Sequence, residues 1–319
     1  MSQFLFHTSD KIAEEVSPAP APGKEAILNT LAYFDIFHYP LTIEEMRKFL
    51  CRTTEEAEFR ETVRQLLGEK KIFLLHGFYS LQNNPLLAYR RRQGNARAEG
   101  LLARAEKIGR FLYKFPFVRG IGISGSLSKN YADEKADIDF FIITKANRLW
   151  TARTLMHLYK KLMFLRGKQH FYCMNYYLDE NALKLEDRNI FTAIEIKTLL
   201  PVSGNSTLRL FFESNEWADQ WLPACTYRDQ SQKDPAPSRF KKLVEWVFKG
   251  RWGNLPENYL YRLTCRRWKR KEEKGQRNKK GQPMELVTGQ HFARSNPGNF
   301  QEKVLSLYEE KLTGLKIFR

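Results

Sequence analysis

The stretch GIGISGSLSKNYADEKADIDFFIIT, Gly120 to Thr144, decides how the rest of this chain is read. It opens with an apolar alternation and reaches a Gly-Ser pair at Gly125 and Ser126. After small and polar residues it ends in Asp137-Ile138-Asp139, followed by β-favouring residues. That order predicts strand, glycine turn, helix, strand. In an extended segment side chains alternate, so Asp137 and Asp139 share one face and Ile138 takes the other. Adjacent carboxylates repel unless a cation lies between them. The natural occupant is Mg²⁺ (or Mn²⁺), which takes carboxylate oxygens and leaves positions for water and phosphate. Glycine lets backbone approach a ligand closely, and the following helix offers N–H groups to an anion beside the Ser126 hydroxyl.

On these residues the chain resembles the nucleotidyltransferase superfamily, which contains DNA polymerase β and the antibiotic nucleotidyltransferases. The shared pattern is Gly-Ser, an interval, here Leu127 to Ala136, and Asp-x-Asp between apolar residues. The resemblance implies an α+β fold with a mixed β-sheet flanked by helices. It also implies a Mg-NTP substrate, with Asp137 and Asp139 as catalytic metal ligands and Gly125, Ser126 and Lys129 on the outer phosphates. A nucleoside monophosphate would pass to an acceptor hydroxyl on a small molecule, protein or nucleic acid, releasing pyrophosphate.

In that superfamily a later strand commonly supplies a third carboxylate. The corresponding strand is HFYCMNYYL, His170 to Leu178, and the place falls to Asn175. An amide can offer a carbonyl oxygen to a metal but cannot accept a proton near neutral pH. Two readings therefore stand: a working transferase, or a nucleotide-sensing or scaffold protein that keeps the fold. Asp179, Glu180 and Glu195 are the carboxylates that could substitute, each also readable as a loop or helix-surface residue. Alternation along the strand predicts Cys173, Asn175 and Tyr177 on one face and Met174, Tyr176 and Leu178 on the other.

Composition sets the outer limits. A 319-residue chain with 42% hydrophobic content suffices for two or three domains. The absence of a long apolar run or a basic-then-apolar leader predicts a cytoplasmic protein with no membrane partner. Four scattered cysteines indicate neither a zinc site nor a disulfide framework. The formal charge is +17, and the segment from Arg239 onward holds 20 Lys and Arg against 8 Asp and Glu. Such a field favours an anionic partner, nucleic acid included.

The chain then divides into four segments. Residues 1–23 read as a tail and Pro-rich linker. Residues 24–83 give three helices, the second opened by the capping box Thr42-Ile-Glu-Glu45, and a hairpin turning at Gly77. This resembles a winged-helix domain. Its third helix carries Glu55, Glu56, Glu58 and Glu61, which favours a packing or protein-contact role over reading DNA. Residues 84–226 hold the nucleotidyltransferase-like domain behind a long helix bearing Arg90, Arg91, Arg92 and Arg97, cations that could touch a phosphate or form a solvated face. Within it Arg188 to Leu200 and Ser206 to Leu222 read as helices.

Residues 227–319 read as a basic, helical region, aromatic and cationic from Phe240 to Phe248 and again from Asn258 to Lys280. There Tyr259, Tyr261 and Trp268 either stack on nucleic-acid bases or form the inward stripe of a helix with Leu260 and Leu263.

Overall fold

The computed structural model describes residues 23–134, 136–165, 172–227, 233–277, 281, 283, 286–295 and 298–317. The expected tail and linker up to residue 22, and His170, lie outside them. The amino-terminal segment forms α1 (Gly23–Asp35), α2 (Ile43–Lys48) and α3 (Glu56–Gly68), then a hairpin of β1 (Phe73–Leu75) and β2 (Phe78–Ser80). The capping box is present: Thr42 Oγ1 accepts from Glu45 N, and Glu45 accepts from Thr42 N at 3.0 Å. His76 and Gly77 both take positive φ, as a two-residue turn matched to strand twist requires. A bridge between Leu41 and Tyr79 extends the hairpin.

A 28-residue helix, α4 (Pro85–Leu112), delivers the chain to β3 (Val118–Ser124), α5 (Gly125–Ser128) and β4 (Asp139–Thr144). Helix α6 (Leu149–Phe164), strand β5 (Cys173–Asp179), helix α7 (Ile190–Thr198) and strand β6 (Leu200–Ser203) follow. Next come α8 (Asn205–Glu213), α9 (Ala218–Trp221), α10 (Arg239–Val247), a 3₁₀ turn (Gly250–Gly253) and α11 (Asn254–Glu273). The chain closes with β7 (Leu286–Thr288), β8 (Phe292–Ser295) and α12 (Phe300–Ile317). Six strands form one mixed sheet in the order β6-β3-β4-β5-β8-β7, in which only β4 and β5 run parallel.

Three expectations are corrected. Leu200, read as the last residue of a helix from Arg188, opens strand β6, which runs on through Pro201 at the sheet edge beside β3, while α7 stops at Thr198. The helix expected from Ser206 to Leu222 is two helices, α8 and α9. The helical reading of 227–319 missed the β7–β8 hairpin, which joins β5 and extends the sheet.

Helices cover both faces of the sheet. Ile138, Phe140, Ile142, Met174 and Tyr177 pack with α4, α6 and α11 side chains. Phe141, Ile143 and Leu178 lie in a core continuous with α1, α2, α3, α7 and α8. Helix α1 is buried nearly all round, Ile27, Leu31, Tyr33 and Phe34 among its hidden residues, which its apolar sequence demands. The amino-terminal segment and the sheet thus share one hydrophobic core.

Arg90, Arg91, Arg92 and Arg97 of α4 each meet a partner on the protein. Arg91 is 2% exposed; it donates to Pro40 O at 2.7 Å, to Glu45 Oε1 at 2.6 Å and to Asn95 Oδ1 at 2.8 Å, and it stacks on Tyr39. Arg90 pairs with Asp133, Arg97 with Glu134, and Arg92 meets the His76 carbonyl. They staple the amino-terminal segment and the loop before Asp137 to α4.

Removing one member of a buried ion pair strands the other, at a cost of about 3–5 kcal/mol. Glu45 is a quarter exposed and regains water, so Arg91→Met should lower unfolding stability in urea titration measurably but by less than that. Adding Glu45→Gln, which leaves no unpaired charge, should recover part of the loss.

Candidate active site

Antiparallel pairing sets Ser124 opposite Asp139, so the Gly125 turn abuts the first carboxylate of β4. Gly125 has φ of +70°, and a Cβ there would lie 2.8 Å from Asp139 Oδ2. Only glycine tolerates both conditions. Asp137 and Asp139 are half-buried while Ile138 between them is fully buried, the alternation expected of the motif. Ser126 is exposed on the turn. The helix opened by Gly125 is a single turn, so the extended helix dipole expected for anion binding is not available.

Strand β5 brings Asn175 to the pair. Its Nδ2 donates to Asp139 Oδ1 at 2.6 Å, and its Oδ1 accepts from Cys173 Sγ at 3.1 Å. The parallel register steps from Phe140↔Met174 to Phe141↔Tyr176, so Asn175 is the extra residue of a bulge. The bulge breaks the expected alternation of the strand. Met174 and Tyr177 pack on one face, while Tyr176 stacks with Phe141 on the other. Bulges re-aim side chains in this way beside functional sites. Burial, then the nearby charges of Asp139 and Asp137, push the Cys173 thiol up to about 12. It stays protonated and serves as a donor, not a nucleophile.

A further charge comes from α7. Glu195 Oε2 accepts from Gly125 N at 3.2 Å, and its Oε1 accepts from Lys129 Nζ at 2.7 Å; Lys129 also donates to the Gly125 carbonyl at 3.0 Å. A carboxylate therefore occupies the donors that the phosphate reading assigns to a nucleotide. Tyr39 of the amino-terminal segment donates its hydroxyl to the Lys129 carbonyl at 2.5 Å.

Of the other carboxylates weighed as substitutes, Asp179 and Glu180 sit by the far end of β4. Asp179 accepts from Asn147 N, Asn181 N and His291 Nδ1, and Glu180 from Ala146 N. They fix a loop and do not reach the Asp137–Asp139 pair. Only Glu195 joins the site. Its signal in the sequence is one acid in an otherwise apolar helix, IFTAIEIKT, whose other charge, Lys197, is buried against Asp219.

A cavity of about 410 Å³ lies elsewhere, between α2 and α3. Of its cations, Arg47 and Arg60 pair with Glu56 and Arg52 with Glu58, while Lys48 lies over the Phe49 ring.

No family model, curated protein or solved structure matches the chain. The site must be judged on its own donor set. Among the described residues no three His, Cys, Asp or Glu side chains converge to hold a metal. Two carboxylates with an amide beside them fit a Mg²⁺ that arrives with nucleotide phosphates; they do not fit an ion held by protein alone.

Asn175→Asp would place a third carboxylate against Asp139, and like charges at that distance disfavour full ionisation. The variant should be less stable than the native protein in chelator and gain about 3 °C or more in Tm with millimolar Mg²⁺. The native protein should show no such gain without nucleotide. Thermal scans with and without Mg²⁺ distinguish the two.

Proposed function

We propose that the chain is a nucleotidyltransferase: it binds an NTP at the corner between Gly125 and Asp139 and passes a nucleoside monophosphate to an acceptor hydroxyl. The observation that carries this reading is the placement of the Gly125 turn directly against Asp139. The Gly125 backbone lies against Asp139, with the exposed Ser126 next along the turn and the half-buried Asp137 two residues before Asp139. Asp137 and Asp139 would hold Mg²⁺, and the ion when bound would offset triphosphate charge and orient the α-phosphorus. The acceptor oxygen forms the new bond to that phosphorus, the α–β bridging bond breaks, pyrophosphate leaves and the hydroxyl proton goes to solvent.

Each residue has a task in this reading. Gly125 lets phosphate approach the backbone, Ser126 donates a hydrogen bond, and Lys129 turns from Glu195 to the outer phosphates. Asn175, held by the Cys173 thiol, fixes the Asp139 carboxylate in one orientation. A second reading, nucleotide sensing without transfer, is favoured by that same amide, because it leaves no base beside Asp139 on β5 to take the acceptor proton.

Calorimetry with the four ribonucleoside triphosphates tests the binding that both readings share. Binding should require Mg²⁺ and weaken by about tenfold or more in an Asp137→Asn, Asp139→Asn double variant. A folded native protein that binds none of the four would sink both readings, and turnover retained in Asp139→Asn would sink the transferase. Glu195→Gln, which removes the resident negative charge from the cradle, should tighten triphosphate binding by about five- to tenfold. Unchanged affinity would make Glu195 a structural partner of Lys129 only.

A further inference from the structure

Helix α10 is amphipathic in the reverse of the usual sense. The side turned to the protein is polar. Lys241 is buried, donating to Tyr113 O at 2.9 Å and to Val118 O at 2.7 Å. One turn on, Glu245 accepts from Phe117 N and takes both terminal nitrogens of Arg119 at 2.9 Å. The outward side is apolar: Phe240, Leu243, Trp246 and Val247 are all more than half exposed. Exposed apolar side chains follow in the 3₁₀ turn, where Trp252 is 80% exposed, and in α11 at Leu255, Tyr259 and Leu263. Helix α11 also faces the body with polar groups, since Glu257 is buried and accepts from Trp150 N and Thr151 N.

The charges divide the same way. From Arg239 to Lys271 the only carboxylates are Glu245 and Glu257, both turned inward. Arg239, Lys242, Lys249 and Arg251 are exposed around the apolar row, and Arg262, Arg266 and Arg270 follow along α11. A soluble surface does not gather large apolar side chains without a use for them.

We propose that this face, α10 through the first half of α11, docks on the surface of a bilayer containing anionic lipid. The Trp, Phe and Leu side chains enter the boundary between headgroups and acyl chains, and the flanking Lys and Arg pair with anionic headgroups. The anchoring is peripheral: among the described residues no helix is long and apolar enough to cross a membrane, and a surface-bound helix needs none. The partners expected from the sequence did not include a membrane because only spanning segments were sought there.

Other occupants fit less well. Leu243, Val247, Leu255 and Leu263 offer nothing for a base to stack on, so nucleic acid would use the cations and leave the aliphatic surface wet. A second copy would set two surfaces of like charge against each other.

The test is co-sedimentation of the full chain with vesicles of phosphatidylcholine alone and of phosphatidylcholine mixed with phosphatidylserine. Comparison variants are Trp246→Ser with Trp252→Ser, and Lys242→Gln with Lys249→Gln and Arg251→Gln. All five side chains are exposed, so circular dichroism should be unchanged. The proposal expects binding to the mixed vesicles, falling about tenfold or more in the tryptophan variant. It also expects weakening with salt and in the charge variant, and little binding to phosphatidylcholine alone. It is overturned by absence of binding to either vesicle, by equal binding to both, or by binding that survives loss of the tryptophans. It is equally overturned if those substitutions instead abolish a lipid-independent dimer seen by sedimentation velocity, or binding to a single-stranded oligonucleotide.

Discussion

Position 125 has no room for a side chain. A Cβ there would meet Asp139 Oδ2 at 2.8 Å, and the local φ of +70° excludes most residues in any case. That constraint brings the end of β3 against the start of β4, in the middle of a six-stranded sheet and at the point where its one parallel pair begins. The rest of the site hangs on the contact. Strand β5 runs beside Asp139 and inserts one extra residue, and the extra residue is the one that bonds the carboxylate. Helix α7 then lays Glu195 across the Gly125 amide and the Lys129 ammonium.

The amino-terminal segment is held to this site rather than hung beside it. Tyr39 is the hinge of the arrangement: its ring lies under the Arg91 guanidinium and its hydroxyl reaches the Lys129 carbonyl. Burial and the neighbouring Glu45 raise the Tyr39 hydroxyl well above its ordinary range, so it remains a donor at any working pH. Helix α1 meanwhile shares a core with Phe141 and Ile143 of β4, the strand that carries Asp139. Coupling between whatever the amino-terminal helices contact and the Gly125 turn has a physical route through these groups. The burial of Arg91 against Glu45 and the Pro40 carbonyl takes it out of consideration as a phosphate contact, while Arg90, Arg92 and Arg97 keep exposed surface.

What could be read from the chain was local. The strand-turn-helix-strand order around Gly125, the capping box at Thr42 and the hairpin at Gly77 each rest on a few consecutive residues, and each is present. The alternation of Asp137, Ile138 and Asp139 is likewise a neighbour effect. Strand β5 shows the limit. Its alternation was legible, but the bulge at Asn175 is set by pairing with β4 thirty-six residues earlier, and it exchanges the faces of everything after it. Strands β6, β7 and β8 are three or four residues long and take their identity from sheet edges supplied by other segments. Glu195 gave only the weak sign of an acid among apolar neighbours.

The same reasoning explains why α10 could not be oriented from its sequence. Periodicity states which residues share a face, and Phe240, Leu243 and Val247 plainly do, yet it does not state which face turns inward. Here the choice is made by groups on distant segments: the carbonyls of Tyr113 and Val118, the amide of Phe117 and the Arg119 guanidinium. These groups need a buried cation and a buried anion one helical turn apart, and Lys241 and Glu245 supply them. Satisfying them forces the apolar residues out, because one short helix cannot bury opposite faces against the same neighbour. In α11 the division runs through the aromatics themselves, Tyr261 packing on Trp150 at 5.0 Å while Tyr259 turns to solvent. Sequence reading had set a stacking surface against an inward stripe with Leu260 and Leu263, and the stripe divides: Leu260 and Tyr261 pack inward while Tyr259 and Leu263 are exposed. A helix that satisfies polar demands within the protein is left with its hydrophobic surface for something outside it.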